Sequence, residues 1–549
     1  MPSSYTASAR EEASEPGGEP KQTIGELLKR AARAFGDQDY VVSDTGRLSY
    51  AEAEARSGAI AARLLAEGVG KGTRVGLFFT GGTDWVLWWL AAARIGALTA
   101  PLSTFYAPAE LARVLRLADV DTLIAPPAIL KTETAARLEA ALPGLAESGL
   151  AESGLAESGF AGSDGGSRLR LPAAPYLRRI VITGPCDRAW ATHWDIDEDR
   201  GDAELLAAVE QEVSAADLAV IVHTSGSTAE PKGVLHTHGT LVRQTSGWVG
   251  AVRHVTGTSG AARVLCAMPF FWIGGILGAL GALHEPLALL VLPRLEAGAA
   301  LDLLERERGN GVIGWPTFTE QLRAHPTFAG RDLSSAPTLF GGPADLSLVG
   351  SPDGVPSHRS MSETGGSFAF TDIRIAGADG REVPAGEVGE LWVRGVGSMA
   401  GYNKRERAEV FDADGWFHSG DRVFRRDGDP RLFYMGRTTD MIKSAGSNIS
   451  PLEVQAVIEG LESVAQCVVL GVADPARGEA VCAVIVPTAD GGLDLARLRT
   501  VAAEQLSAYK VPTRWIVTSP DELPVLATGK PDRRTLRARI EQGEFGASA

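Results

Sequence analysis

Hydrophobic positions along this chain follow two periods that alternate through most of its first half. Ile24, Leu27, Leu28, Ala31, Ala32 and Phe35 recur at helical spacing and predict a helix with one apolar face. Beyond it, β-type runs at residues 75–79, 98–102 and 122–125 alternate with helical patterns at 85–93 and 111–117, and a further sheet segment follows at 179–183. That alternation predicts βαβ units around a largely parallel sheet. Trp85, Trp88 and Trp89 share helical spacing and predict filling between helix and sheet. The longest apolar stretch, residues 267–283, contains Pro269 and the glycines Gly274, Gly275, Gly278 and Gly281. It reads as a buried strand followed by a helix and falls short of a membrane span. After residue 440 the order becomes helix (451–461), strand (464–471), strand (479–487), helix (494–506) and a basic tail at 510–540.

These patterns predict a large α/β domain at residues 23–435, with parallel or mixed sheets and packed helices. A hinge at 436–440 would join it to a small α+β domain at 441–545. A chain of 549 residues is too long for one ordinary core. Residues 1–22, rich in Ser, Glu and Gly, lack the apolar core of a secretory segment and are expected to be disordered. LAESG occurs three times in tandem within residues 145–159, too short for a solenoid, and predicts a flexible surface insertion at 144–168. A net charge of −15 argues against nucleic acid or an anionic membrane as partner. Cys186, Cys266, Cys467 and Cys482 are scattered, with no C-x-x-C pair, and read as reduced thiols of a cytoplasmic protein.

The richest chemistry lies at residues 221–238, IVHTSGSTAEPKGVLHTH. An apolar strand empties into Thr224, Ser225, Gly226, Ser227 and Thr228, and the chain then reaches Pro231, Lys232 and Gly233. Small residues let successive backbone N–H groups converge on an oxyanion, while the hydroxyls and Lys232 add donors and charge suited to phosphate. A Walker loop would need Gly-Lys followed by Ser or Thr, and here Lys232 is preceded by Pro231. The order TSGST-x-x-PKG resembles the phosphate loop of the AMP-forming adenylating enzymes, the group that includes acyl-CoA synthetases, peptide-synthetase adenylation domains and luciferases. Ala229 stands where that family has glycine.

Further segments resemble the same family in its order, over residues 24–540. MSETGG, residues 361–366, is similar to its second motif, implying that Glu363 associates with Mg²⁺ and Ser362 reaches the α-phosphate. WFHSGD, residues 416–421, implies Asp421 as acceptor for the ribose hydroxyls. In GRTTDMIKSAGSN, residues 436–448, the resemblance implies Arg437 at ribose and phosphate and Asp440 as the swivel of the small domain. Lys443 and Gly446 would line the CoA channel. Lys530, in TGK, would bridge the substrate carboxylate and the α-phosphate. MPFFWIGG, residues 268–275, is similar to the segment opening the acyl pocket, with Trp272 where many relatives have His. Trp272–Ile276, residues 314–319 and a segment from Gly341 to Pro343 are the candidate walls; their apolar or small character suits a fatty, aromatic or alicyclic acid.

The implied activity is activation of a carboxylic acid by Mg·ATP to an acyl-adenylate, then transfer to CoA with release of AMP. Arg359-Ser360 stands where the family usually has an aromatic-glycine pair against adenine, and the stretch from Glu363 to Asp421 is shorter than the family's. Both features leave open a nucleotide-binding homologue with impaired catalysis. IKSAGSN and the end of the chain at Ala549 favour CoA over a carrier protein as acceptor. A carrier-protein acceptor, an oxygenase of luciferase type and a homodimer remain open.

Overall fold

The computed structural model describes residues 22–44, 46–148, 168–194, 201–224, 230–258, 262–314, 316–341, 370–429, 431–437, 441–488, 492–525 and 531–545. Its core is an eight-stranded sheet running, from one edge, through Gly401–Tyr402, Lys232–Thr237, Leu218–Thr224, Leu98–Pro101, Arg74–Leu77, Thr122–Ala125, Arg179–Ile182 and Thr192–His193. The six strands from Leu218–Thr224 onward are parallel, and the two at the first edge are antiparallel. A second, five-stranded sheet places Gly311–Ile313, Ala262–Cys266, Leu287–Val291 and Asp39–Ser43 in parallel, with Arg47–Ser49 closing its edge. The large domain is thus built on parallel and mixed sheets, as the sequence predicts.

Between the sheets lies helix Thr83–Arg94, in contact with strands of both. Every residue from Trp85 to Arg94 is buried, because a helix covered by sheet on two sides has no solvent face to keep polar. Trp85 packs on Trp89 and on Phe270, with ring centroids 5.4 and 5.1 Å apart. The tryptophans are core, as their spacing predicts. The outer faces are covered by Pro108–Leu117 and Thr134–Ala141 on the larger sheet and by Ala297–Arg306 on the smaller. The strand expected within residues 267–283 ends just before them, as Ala262–Cys266, and the stretch itself holds helix Ile273–Gly281. Among the described residues no helix is long and apolar enough to cross a membrane.

A four-stranded antiparallel sheet follows, Asp372–Ala376, Gly389–Arg394, Phe417–Arg425 and Leu432–Arg437 in that order. The last strand continues to Arg437, and the expected swivel, Asp440, lies outside the described residues. The small domain is one mixed sheet with a core on each face. Helices Pro451–Glu459 and Leu495–Gln505 cover one side, and Arg533–Glu541 covers the other.

The basic stretch belongs to the small domain: Arg514–Val517 adds a parallel strand to Gly478–Pro487, and Leu536 and Ile540 of helix Arg533–Glu541 are buried. One expectation needs correction: the expected surface insertion at 144–168 does not include Leu145, because the first LAESG copy begins the helical turn Leu145–Ser148 and Leu145 is fully buried. A leucine side chain gains too much from leaving water for that first copy to hang free. Residues 149–167 lie outside the described residues.

Candidate active site

The phosphate motif sits on a β-hairpin. Strands Leu218–Thr224 and Lys232–Thr237 pair antiparallel with Thr224 opposite Lys232 and His223 opposite Gly233. The register thus places the exposed Thr224 hydroxyl and the Lys232 ammonium on either side of the mouth of the turn. Ser225, Gly226, Ser227 and Thr228 fall between these two strands in the sequence and lie outside the described residues. Gly233 is required by packing: a Cβ there would come within 2.8 Å of Ile221 Cδ1 and 3.2 Å of His223 Nε2. The Gly233 carbonyl accepts from Asn403 N–H at 2.7 Å, tying the hairpin to the edge strand Gly401–Tyr402.

Tyr402 was not singled out in the sequence. Its ring centroid lies 5.2 Å from Lys232 Nζ, an attraction between cation and π face. The ring also meets Phe417, 6.2 Å away edge to face, at the start of the strand that carries Asp421. Four residues of strand separate Phe417 from Asp421, on the order of 13 Å. The only sequence signal for Tyr402 was an aromatic residue after Gly401, which is common in edge strands.

Asp421 stands directly opposite Arg437 in the antiparallel pairing. Just before it, Gly420 adopts φ +74° at an irregularity in the ladder, and its N–H donates to Glu390 Oε1 at 2.9 Å. Only glycine takes this left-handed conformation readily, so the kink that re-aims Asp421 is encoded by the glycine before it. Asp421 N–H donates to Ser419 Oγ at 3.0 Å.

Lys443 and Gly446 lie on a two-residue hairpin joining Ile442–Ser444 to Ser447–Ile449. Both turn residues have positive φ, Ala445 at +48° and Gly446 at +82°, the conformation that suits the twist of a tight hairpin. The glycine therefore has a turn-forming reason of its own. Lys443 is exposed, with Nζ 4.6 Å from the ring centroid of Tyr434 in the large domain.

Trp272 is half-buried at the head of helix Ile273–Gly281 and meets Phe271 edge to face at 5.8 Å. Ala267 N–H donates to Ile313 O at 2.8 Å, so the segments leaving these two parallel strands emerge side by side at one end of the sheet. Gly341 closes the short helix Thr338–Gly341. Ser362, Glu363 and Lys530 lie outside the described residues. A separate cavity of about 540 Å³, lined by Pro127, Glu133, Cys186, Asp187 and His193, involves none of the predicted site residues.

A family model described as AMP-binding enzyme matches residues 28–351, more than half of the chain. A second, AMP-binding enzyme C-terminal domain, matches residues 453–530. The chain belongs to the AMP-binding enzyme family. It is 32% identical to a feruloyl-CoA synthase from Amycolatopsis sp, covering 94% of this chain and 99% of that one. An indoleacetate–CoA ligase from Aromatoleum aromaticum is 27% identical, with 91% and 94% covered. The solved amide bond synthetase McbA from Marinactinospora thermotolerans shares the fold, with a TM-score of 0.69 at 23% identity over 93% of this chain and 99% of that one. The chain is an AMP-forming acid–thiol ligase, which activates a carboxylic acid with ATP and passes the acyl group to CoA.

Proposed function

We propose that the acid is apolar and ring-bearing, aromatic or alicyclic. The observation that carries this reading is Trp272, half-buried just beyond the end of one parallel strand beside a second, with Phe271 edge to face against it at 5.8 Å. Such an exit is where open α/β sheets bind ligands. An indole at position 272 offers a flat apolar face and no charge for an acidic substituent. The names of the feruloyl and indoleacetate relatives support the same class. Unbranched fatty acids are the competing class within the family. A panel of benzoic, cinnamic, indoleacetic, cyclohexanecarboxylic and C6–C16 fatty acids, scored by AMP release, decides between them. Fastest release with a fatty acid would overturn the ring-bearing reading.

In this reading the Thr224–Lys232 hairpin receives the departing pyrophosphate, and Asp421 accepts the ribose hydroxyls beside Arg437. Ser362 reaches the α-phosphate. Glu363 is the carboxylate suited to a magnesium ion, which when bound would neutralise phosphate charge. Lys530 draws the two reacting anions together. Asp440 is the swivel of the small domain, Lys443 and Gly446 face the thiol channel, and Trp272 and Gly341 border the acyl pocket. The four free cysteines support a reducing, cytoplasmic setting.

Asp421→Asn keeps the shape of the side chain but loses the charge that strengthens its hydrogen bonds. A loss of about 2 kcal/mol is expected, seen as a rise in KM for ATP of roughly thirty-fold with little change in KM for CoA. Equal changes in both constants would remove Asp421 from the ribose site.

A further inference from the structure

The large and small domains meet through a buried cluster of charges, Glu110, Glu453 and Lys510. Glu110, in helix Pro108–Leu117 of the large domain, faces Lys510 of the small domain with Oε1 2.7 Å from Nζ. Lys510 also donates to Glu453 Oε1 at 2.8 Å, at the start of helix Pro451–Glu459. Ser507 Oγ donates to the other oxygen of Glu110. All three charged side chains are about 95% buried or more. Beside them, Phe105 of the large domain meets Tyr509 of the small domain edge to face at 6.2 Å. Burial alone would lower the Lys510 ammonium, but Tyr509, Glu453 and Glu110 outweigh it and hold it above the usual lysine range.

Removing two carboxylates and an ammonium from water is costly, and the attraction among them offsets that cost only where their geometry is good. The Lys510–Glu453 pair lies within the small domain and travels with it. Glu110 does not. Its bonds to Lys510 and Ser507 exist in one relative orientation of the domains and must be exchanged for water in any other. A contact of this kind selects an orientation more than it adds stability.

Two observations indicate which step that orientation serves. The small-domain hairpin bearing Gly446 is turned to the large domain, with Lys443 over Tyr434. The residues flanking 526–530, the segment that contains Lys530, bond within the small domain: Asp532 N–H to Pro524 O, Arg533 to Gln455 and Arg539 to Glu522 O. Val525 is 60% exposed.

We propose that Glu110, held by Lys510 and Ser507, is a positioning residue that latches the small domain in the orientation for thioester formation. This rests on the two-step reading above. Glu110→Gln is the first test, since glutamine can still accept the Ala107 N–H that Glu110 caps. Ser507→Ala is the second and touches no charge. Amide hydrogen exchange, read on the full chain without ligands, should quicken in both variants across residues 103–117 and 495–510. Thioester formation from supplied cinnamoyl-adenylate should fall about ten-fold in Glu110→Gln, the scale of one charge-assisted hydrogen bond. Exchange of radiolabelled pyrophosphate into ATP with cinnamic acid should hold or rise. The latch is overturned if hydrogen exchange of both segments matches the parent, or if the two half-reactions fall together. If the parent shows no pyrophosphate exchange with any acid of the panel, the functional reading fails, and hydrogen exchange still decides the latch.

Discussion

Lys530→Ala is expected to lower carboxylate-dependent pyrophosphate exchange by roughly 10²–10³-fold while leaving thioester formation from supplied acyl-adenylate unchanged. The reason is electrostatic. A carboxylate attacking the α-phosphorus of ATP is one anion approaching another, in a protein whose net charge of −15 does nothing to attract either. A fixed cation between them stabilises the transition state more than the separated reactants. Lys232 has a different place, opposite Thr224 and over the ring of Tyr402, and in the proposed reading it meets the leaving pyrophosphate instead. Val525 and Pro531 pair as an isolated bridge, so the ends of the loop carrying Lys530 are pinned to each other. Lys232→Ala should act differently, raising KM for ATP and weakening pyrophosphate binding. Equal loss of both half-reactions in Lys530→Ala would contradict the separation of roles.

The two lysines also show which parts of the site could be read from the sequence. The strand before Thr224 was legible because an apolar run is a local signal, whereas the pairing of Lys232–Thr237 with it into a hairpin was not predicted. Asp421 and Arg437 were legible as residues, but their direct opposition depends on the register of two strands, which sequence spacing does not set. Tyr402 was missed because its place beside Lys232 arises from an edge strand 170 positions away in the chain. Glu110 and Lys510 were missed for the same physical reason. Each looks like an ordinary solvated charge on its own helix or loop, and only the docking of two domains buries them. Which strands share the second sheet was not legible, because Asp39–Ser43 pairs with Leu287–Val291 from nearly 250 positions away in the chain.

Folding stability should be nearly flat above pH 7 and fall steeply between pH 6.5 and 5, ahead of any carboxylate titration. The cause is a set of buried imidazoles around the phosphate hairpin. Burial lowers His223 and His238 from the ordinary 6.5 to about 4, and His236 and His284 are depressed in the same direction. His223 has no hydrogen-bond partner on either ring nitrogen among the described residues. His238 Nδ1 accepts the Ile24 N–H at 3.3 Å, which it can do only while that nitrogen carries no proton. Protonation would break this bond and place a charge in the core, near Asp217, which favours it, and Lys71, which opposes it. Since the folded pKa is the lower one, the unfolded chain binds more protons as pH falls through 6.5, and stability drains until pH reaches about 4. At pH 5 the two fully buried rings should together have lost roughly 4 kcal/mol, a large share of the stability of an ordinary domain. His238→Gln, whose amide oxygen can accept the Ile24 N–H without titrating, should be less stable at pH 7 but lose less between pH 7 and 5. Thermal midpoints of parent and variant measured at both pH values test this. Parallel declines would mean that His238 does not carry the acid sensitivity, and a parent equally stable at pH 7 and 5 would mean that the imidazoles do not.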